Sequence, residues 1–85
     1  MSALSSLPNV GKVLESYLLR VGIETPEQLT AAGAENAFLR IRTQVDPSAC
    51  LHMLYGIQGA IAGMPDRLLP GSVKEALRAF YKELQ

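Results

Sequence analysis

Apolar residues recur along most of the chain at intervals of three and four, and glycines, prolines and short polar clusters punctuate them. That spacing predicts helices, since residues three and four apart share one helix face, and no stretch alternates convincingly enough to predict a strand. The first helix is predicted over about Asn9 to Val21, with Val10, Val13, Leu14, Tyr17, Leu18 and Val21 on one apolar face. Lys12, Glu15, Ser16 and Arg20 lie away from it, and Leu19 is an apolar residue left off the stripe. Gly22 stands where a left-handed residue ends a helix, followed by Ile23 to pack back on the last turn. Thr25-Pro26-Glu27-Gln28 then predicts a helix start: Thr25 accepts an orphan amide, Pro26 suits the first helical position, and Gln28 completes a capping box.

The second helix ends near Ala32, with Gly33 as its stop. A third, about Ala34 to Arg42, buries Ala34, Ala37, Phe38 and Ile41 and points Arg40 and Arg42 outward. Asp46-Pro47 opens the fourth, which runs from Ser48 to Gly63 and is apolar on nearly every side, as a central helix is. Gly56, Gly59, Ala60 and Gly63 form a strip of small residues along it, predicting close approach of another backbone or, alternatively, a dimer seam. Pro70 or Ser72 starts the fifth helix, with Ser72 and Glu75 as a second capping box and a stripe of Val73, Ala76, Leu77, Phe80, Tyr81 and Leu84. Met1 to Ser6 reads as a flexible leader, so the expected organisation is a leader over 1–6 and one all-α, compact five-helix domain over 7–85.

Composition narrows the classes of function. The 85 residues, 48% of them hydrophobic, suffice for one thin core. Eight basic residues balance eight acidic ones, whereas a domain built to grip nucleic acid is usually basic. Neutrality gives weak colloidal repulsion, which suits association with a protein partner or with a second copy, a contact to which Leu19 is suited. The lone Cys50 forms no internal disulfide, the N-terminus has no secretory pattern, and no apolar run reaches the roughly 20 residues of a membrane span. The expected location is the cytoplasm, with no membrane attachment.

Candidate chemistry is sparse. His52 is the one histidine, and helical spacing from Cys50 would turn the two to different faces. Acidic residues are scattered singly and there is no glycine-rich phosphate loop, so no catalytic residue, metal, cofactor or small-molecule substrate is expected. Leu7-Pro8-Asn9-Val10-Gly11-Lys12 is the one motif with a mechanism: a turn into a helix start presents backbone amides to phosphate. There Gly11 leaves room for close approach and Lys12 adds a point charge; the competing reading is a tightly packed corner. Lys74, Arg78 and Lys82, four apart, form a basic row able to track a phosphate backbone, or equally a solvated face whose field Glu75 and Glu83 partly cancel.

Together these segments resemble the C-terminal domain of the TfoX/Sxy family of bacterial competence regulators. The stretches that carry the resemblance are Leu7 to Lys12, Val21-Gly22-Ile23 with Thr25 to Leu29, Gly33-Ala34 leading into Ala37 to Arg40, and Leu54 to Gly63. It covers about Leu7 to Leu84 and does not reach the N-terminal α/β domain carried by family members that act as regulators. Gly56 departs from the pattern, standing where alanine is expected. The resemblance implies a helix-hairpin-helix-like, SAM-like front half, and a non-enzymatic regulatory or adaptor role in competence-linked transcription. Protein interaction is the expected mode of action, with weak, sequence-independent DNA binding through the hairpin as the alternative.

Overall fold

The computed structural model describes residues 3–84, which form five α-helices and no strand. They are α1 (Lys12–Arg20), α2 (Pro26–Ala32), α3 (Ala34–Gln44), α4 (Leu51–Ala62) and α5 (Gly71–Glu83). Met1, Ser2 and Gln85 lie outside the described residues. The rest of the predicted leader is not loose: Ala3–Ser6 is a 3-10 turn whose Leu4 is fully buried in the main core. Burial of that large apolar side chain offsets part of the cost of ordering the turn, a gain no periodic pattern announces.

Local chemistry sets the helix ends. The Ile23 amide donates to the Leu18 carbonyl at 2.9 Å and the Gly22 amide to Leu19 at 3.1 Å, the paired bonds of a left-handed helix stop. Gly22 has φ +85°, a conformation that side chains resist. Thr25 Oγ1 accepts from the Gln28 amide at 3.1 Å, while Gln28 Oε1 reaches back to the Glu24 amide at 2.7 Å. The predicted box is therefore formed with its return bond one residue early.

Two of the predicted caps do not form. Asp46 does not open α4: its carboxylate accepts from the Ser48 amide at 3.0 Å and the Ser48 hydroxyl at 2.6 Å, closing a separate turn. Cys50 is then extended, at φ −108° and ψ 170°, and the helix begins at Leu51. Tyr17 of α1 donates its phenol to the same carboxylate at 3.2 Å, so the turn is tied to the first helix. The bonds from Ser48, with help from Tyr17, hold the Asp46 carboxyl below its ordinary range, and that hydrogen bond and negative charge push the Tyr17 phenol up. In α5, Pro70 is the cap and Ser72 is already helical, so the second capping box does not form.

The core gathers Leu14 and Leu18 of α1, Leu29 of α2, Ala34, Ala37, Phe38 and Ile41 of α3, Leu54, Ile57 and Ala60 of α4, and Leu77 of α5. Helix α4 packs against α2, α3, α5 and the 3-10 turn Asp66–Leu68, while α1 packs on α3 and the opening turn. The fifth stripe is shallower than predicted: Leu77 is buried, Val73, Phe80, Tyr81 and Leu84 are half-buried, and Ala76 is exposed. Nor does Arg42 simply point outward. Its guanidinium stands 5.6 Å from the Tyr81 ring centroid and donates to the Leu84 carbonyl at 3.5 Å, fastening the end of α5 to α3.

Candidate functional site: the groove beside the first hairpin

The segment Leu7 to Lys12 forms the predicted turn into a helix. The Leu7 amide donates to Leu4 and the Val10 amide to Leu7, and α1 begins at Lys12 with Gly11 as its cap. Asn9 sits at the tip with φ +68°, in the left-handed region that asparagine tolerates better than most residues. Its side-chain amide donates to the carbonyls of Gly56, at 3.2 Å, and Met64, at 3.0 Å, while its Oδ1 accepts from the Asp66 amide at 3.2 Å. One side chain thus joins the hairpin to α4 and to the chain leaving it.

The small-residue strip of α4 is explained by the same contact. A Cβ on Gly59 would collide with the Asn9 amide nitrogen, stand 2.7 Å from the Met64 carbonyl oxygen and 3.3 Å from Asp66 Cα. A Cβ on Gly56 would meet Asn9 Cβ at an ordinary 3.6 Å. The approaching partner is the molecule's own hairpin and the exit of α4, which accounts for Gly59, while Gly63, at φ +75°, caps the helix.

Beside the hairpin lies a groove of about 510 Å³, with predominantly apolar walls. Gly11, Lys12, Val13 and Leu14 line it from α1, Cys50, His52, Met53 and Gly56 from α4, and Asn9 and Asp66 complete it. Val13, predicted on the core face, is 63% exposed here. Helix α1 begins three residues later than predicted, and Leu14, Leu18 and Val21 take the buried stripe, leaving Val13 about 100° around the helix. Cys50 and His52 also share the groove, contrary to the helical expectation, because Cys50 precedes the helix in extended backbone. His52 Nε2 lies 3.6 Å from Asp66 Oδ2. Among the described residues no three His, Cys, Asp or Glu side chains are placed to hold a metal ion.

Of the residues proposed to contact nucleic acid, Gly11 and Lys12 come together in this groove, both exposed, and nothing crowds the position of a Gly11 Cβ. Lys74, Arg78 and Lys82 do not line it. They share a face of α5, where Arg78 and Lys82 are exposed and the Lys74 ammonium stands 6.0 Å from the Tyr55 ring centroid. Sequence reasoning missed Asn9, Met53 and the exposed Val13. Asn9 left one signal, a residue tolerant of positive φ in a turn beside proline, but its partners lie 47 to 57 positions away.

The described residues form a small all-α domain of five helices, its first helix rising from a short turn with an apolar groove beside it. The TfoX C-terminal domain model matches residues 1–81, and the chain belongs to that family. It is similar to an uncharacterized protein from Listeria monocytogenes solved in a triclinic crystal form, at 43% identity and a TM-score of 0.93, covering 95% of this chain and 91% of that one. A protein of unknown function from the same organism, in a tetragonal form, matches at 43% identity and a TM-score of 0.93, over 96% of this chain and 99% of that one. No curated protein matches the chain. No helix among the described residues is long and apolar enough to cross a membrane.

Proposed function

We propose that the chain is a non-enzymatic regulatory or adaptor domain that acts by docking onto a protein, in the bacterial cytoplasm and in transcription linked to competence. Membership of the TfoX C-terminal family supports the regulatory setting. The observation that carries protein docking over nucleic acid is the apolar groove beside the hairpin, with Val13 63% exposed on its wall. A surface made for phosphate would set basic or polar groups around the open amides, whereas apolar area rimmed by polar groups marks a protein contact. Affinity capture from lysate, with and without nuclease, tests this reading. A partner retained after nuclease and captured directly by the purified domain supports it; loss of every captured protein on nuclease treatment sinks it.

The formed hairpin, with Gly11 open and Lys12 exposed, supports a second reading, weak DNA binding. With so few basic residues near Gly11, only about two or three phosphates would be neutralised, giving a slope of log K against log salt of about −1.8 to −2.7. Affinity would then fall about 10- to 40-fold between about 50 and 200 mM salt, with little dependence on base sequence. An anisotropy titration of duplex DNA at about 50 mM salt decides it, and absence of binding at high micromolar protein removes it.

A further inference from the structure

We propose that α5 is a releasable strap: it lifts from α4 and returns as a unit while α1 to α4 stay folded. Burial divides the chain unequally. The largest fully buried side chains, from Leu4 to Ile57, all lie in or before α4, and α5 contributes none of them. Leu77 is the one buried residue of α5, while Val73, Phe80, Tyr81 and Leu84 are half-buried and lean on the core from outside. An element that buries so little apolar surface opens at lower cost than the body it rests on.

Both ends of the helix are placed for release. Upstream, the 3-10 turn Asp66–Leu68 packs on α4 and the Asp66 amide is bonded to Asn9, so that segment stays with the body. Leu69, buried apart from the main core, and Pro70 follow in extended backbone at ψ 137° and 149°, so the hinge falls at Pro70. Downstream, the Arg42 guanidinium reaches the Leu84 carbonyl at 3.5 Å, beyond the usual range of such a bond. It also stands 5.6 Å from the Tyr81 ring centroid, and Tyr81 meets Phe38 at a tilt, 6.0 Å between centroids. Between the two ends, Lys74 stands 6.0 Å from the Tyr55 ring, which places Tyr55 at the contact of α4 with α5. The Tyr55 hydroxyl is buried without a hydrogen-bond partner among the described residues. That hydroxyl disfavours the closed state, and water satisfies it once α5 lifts.

The test is native-state hydrogen exchange of the whole isotope-labelled chain, followed amide by amide as urea rises toward the unfolding midpoint. After correction for intrinsic rates, the interior amides of α5 are expected to share one opening. They should exchange at least about tenfold faster than the slowest amides of α3 and α4, roughly 1.4 kcal/mol. Ile23→Val, a mild change in the body, should speed those slowest amides about two- to tenfold. It should leave the α5 opening unchanged, because Ile23 stays packed when α5 is released. Tyr55→Phe removes the unpaired hydroxyl and should slow the α5 opening at least about fivefold. Arg42→Ala loosens the far end and should speed that opening about two- to fivefold. Protection in α5 equal to that in α4 overturns the proposal. So does an Ile23→Val variant that speeds both sets by one factor, since α5 then opens only with the whole molecule. Protection that falls steadily from Gly71 to Leu84 overturns it as well, because that is fraying from the chain end. Unchanged or faster α5 exchange in Tyr55→Phe does the same.

Discussion

Asn9 does three things that no other residue type does at once. It holds a left-handed backbone, donates twice and accepts once, and its three partners lie on two segments far along the chain. Asn9→Ala removes all three bonds and leaves an alanine at φ +68°, so a loss of about 2–3 kcal/mol is expected by urea denaturation. Asn9→Gly loses the same bonds without the backbone strain and should cost about 1 kcal/mol less. Equal midpoints for wild type and Asn9→Ala would show that the clamp contributes nothing. Asp46 offers a test of a different kind. Its folded carboxyl is held below the ordinary aspartate value of about 3.9, so the unfolded chain binds more protons in acid. The stabilisation is complete above about pH 5 and is lost as pH falls through the folded value, below 3.9. Asp46→Asn should therefore flatten the fall in stability between pH 5 and 3, measured as urea midpoints at each pH. An unchanged slope would separate Asp46 from the acid response.

At the scale of elements, the two inner glycines of α4 give opposite expectations for one substitution. Gly56→Ala adds a methyl with a single ordinary contact and raises helix propensity, so it should stabilise by about 0.5–1 kcal/mol. Gly59→Ala gains the same propensity but drives its methyl into the Asn9 amide and the Met64 carbonyl, so it should destabilise by about 1–3 kcal/mol. Thermal melts of the pair check the contrast, and two stabilised variants would contradict the close approach at Gly59. These elements also show where sequence was informative. The Gly22 stop, the Thr25 cap and the buried face of α3 rest on bonds or spacings within a few residues, and they could be read directly. The start of α4 was misplaced because Asp46-Pro47 closes a lone turn as well as it caps a helix, and Ser48 and Tyr17 decide between them. The turn that brings Gly11 and Lys12 to the start of α1 was legible because its bonds are local. The groove was not, since its other wall is the start of α4, some 40 residues away.

The whole molecule depends on α4, because α2, α3, α5 and the turn that follows it all pack against that one helix. Leu54 and Ile57 are fully buried on it, whereas Gln58, between their positions and those of Gly59 and Ala60, is only half-buried. A chain of 85 residues has roughly 4–13 kcal/mol of stability in all. Truncating Leu54 to alanine removes transfer energy and leaves a cavity with neighbours on several helices, so the expected cost is about 2–5 kcal/mol. At about 4–8 °C per kcal/mol for a domain of this size, the midpoint of thermal unfolding should fall by roughly 10–40 °C. Ile57→Ala should behave alike, for the same reason. Gln58→Ala removes a polar side chain that makes no hydrogen bond among the described residues and replaces it with a better helix former, so its stability should stay within about 0.5 kcal/mol of wild type. The comparison is made by circular dichroism on all three variants under one buffer. If Leu54→Ala shifts the midpoint no further than Gln58→Ala does, the helices do not depend on α4 for their stability, and the core must be held elsewhere.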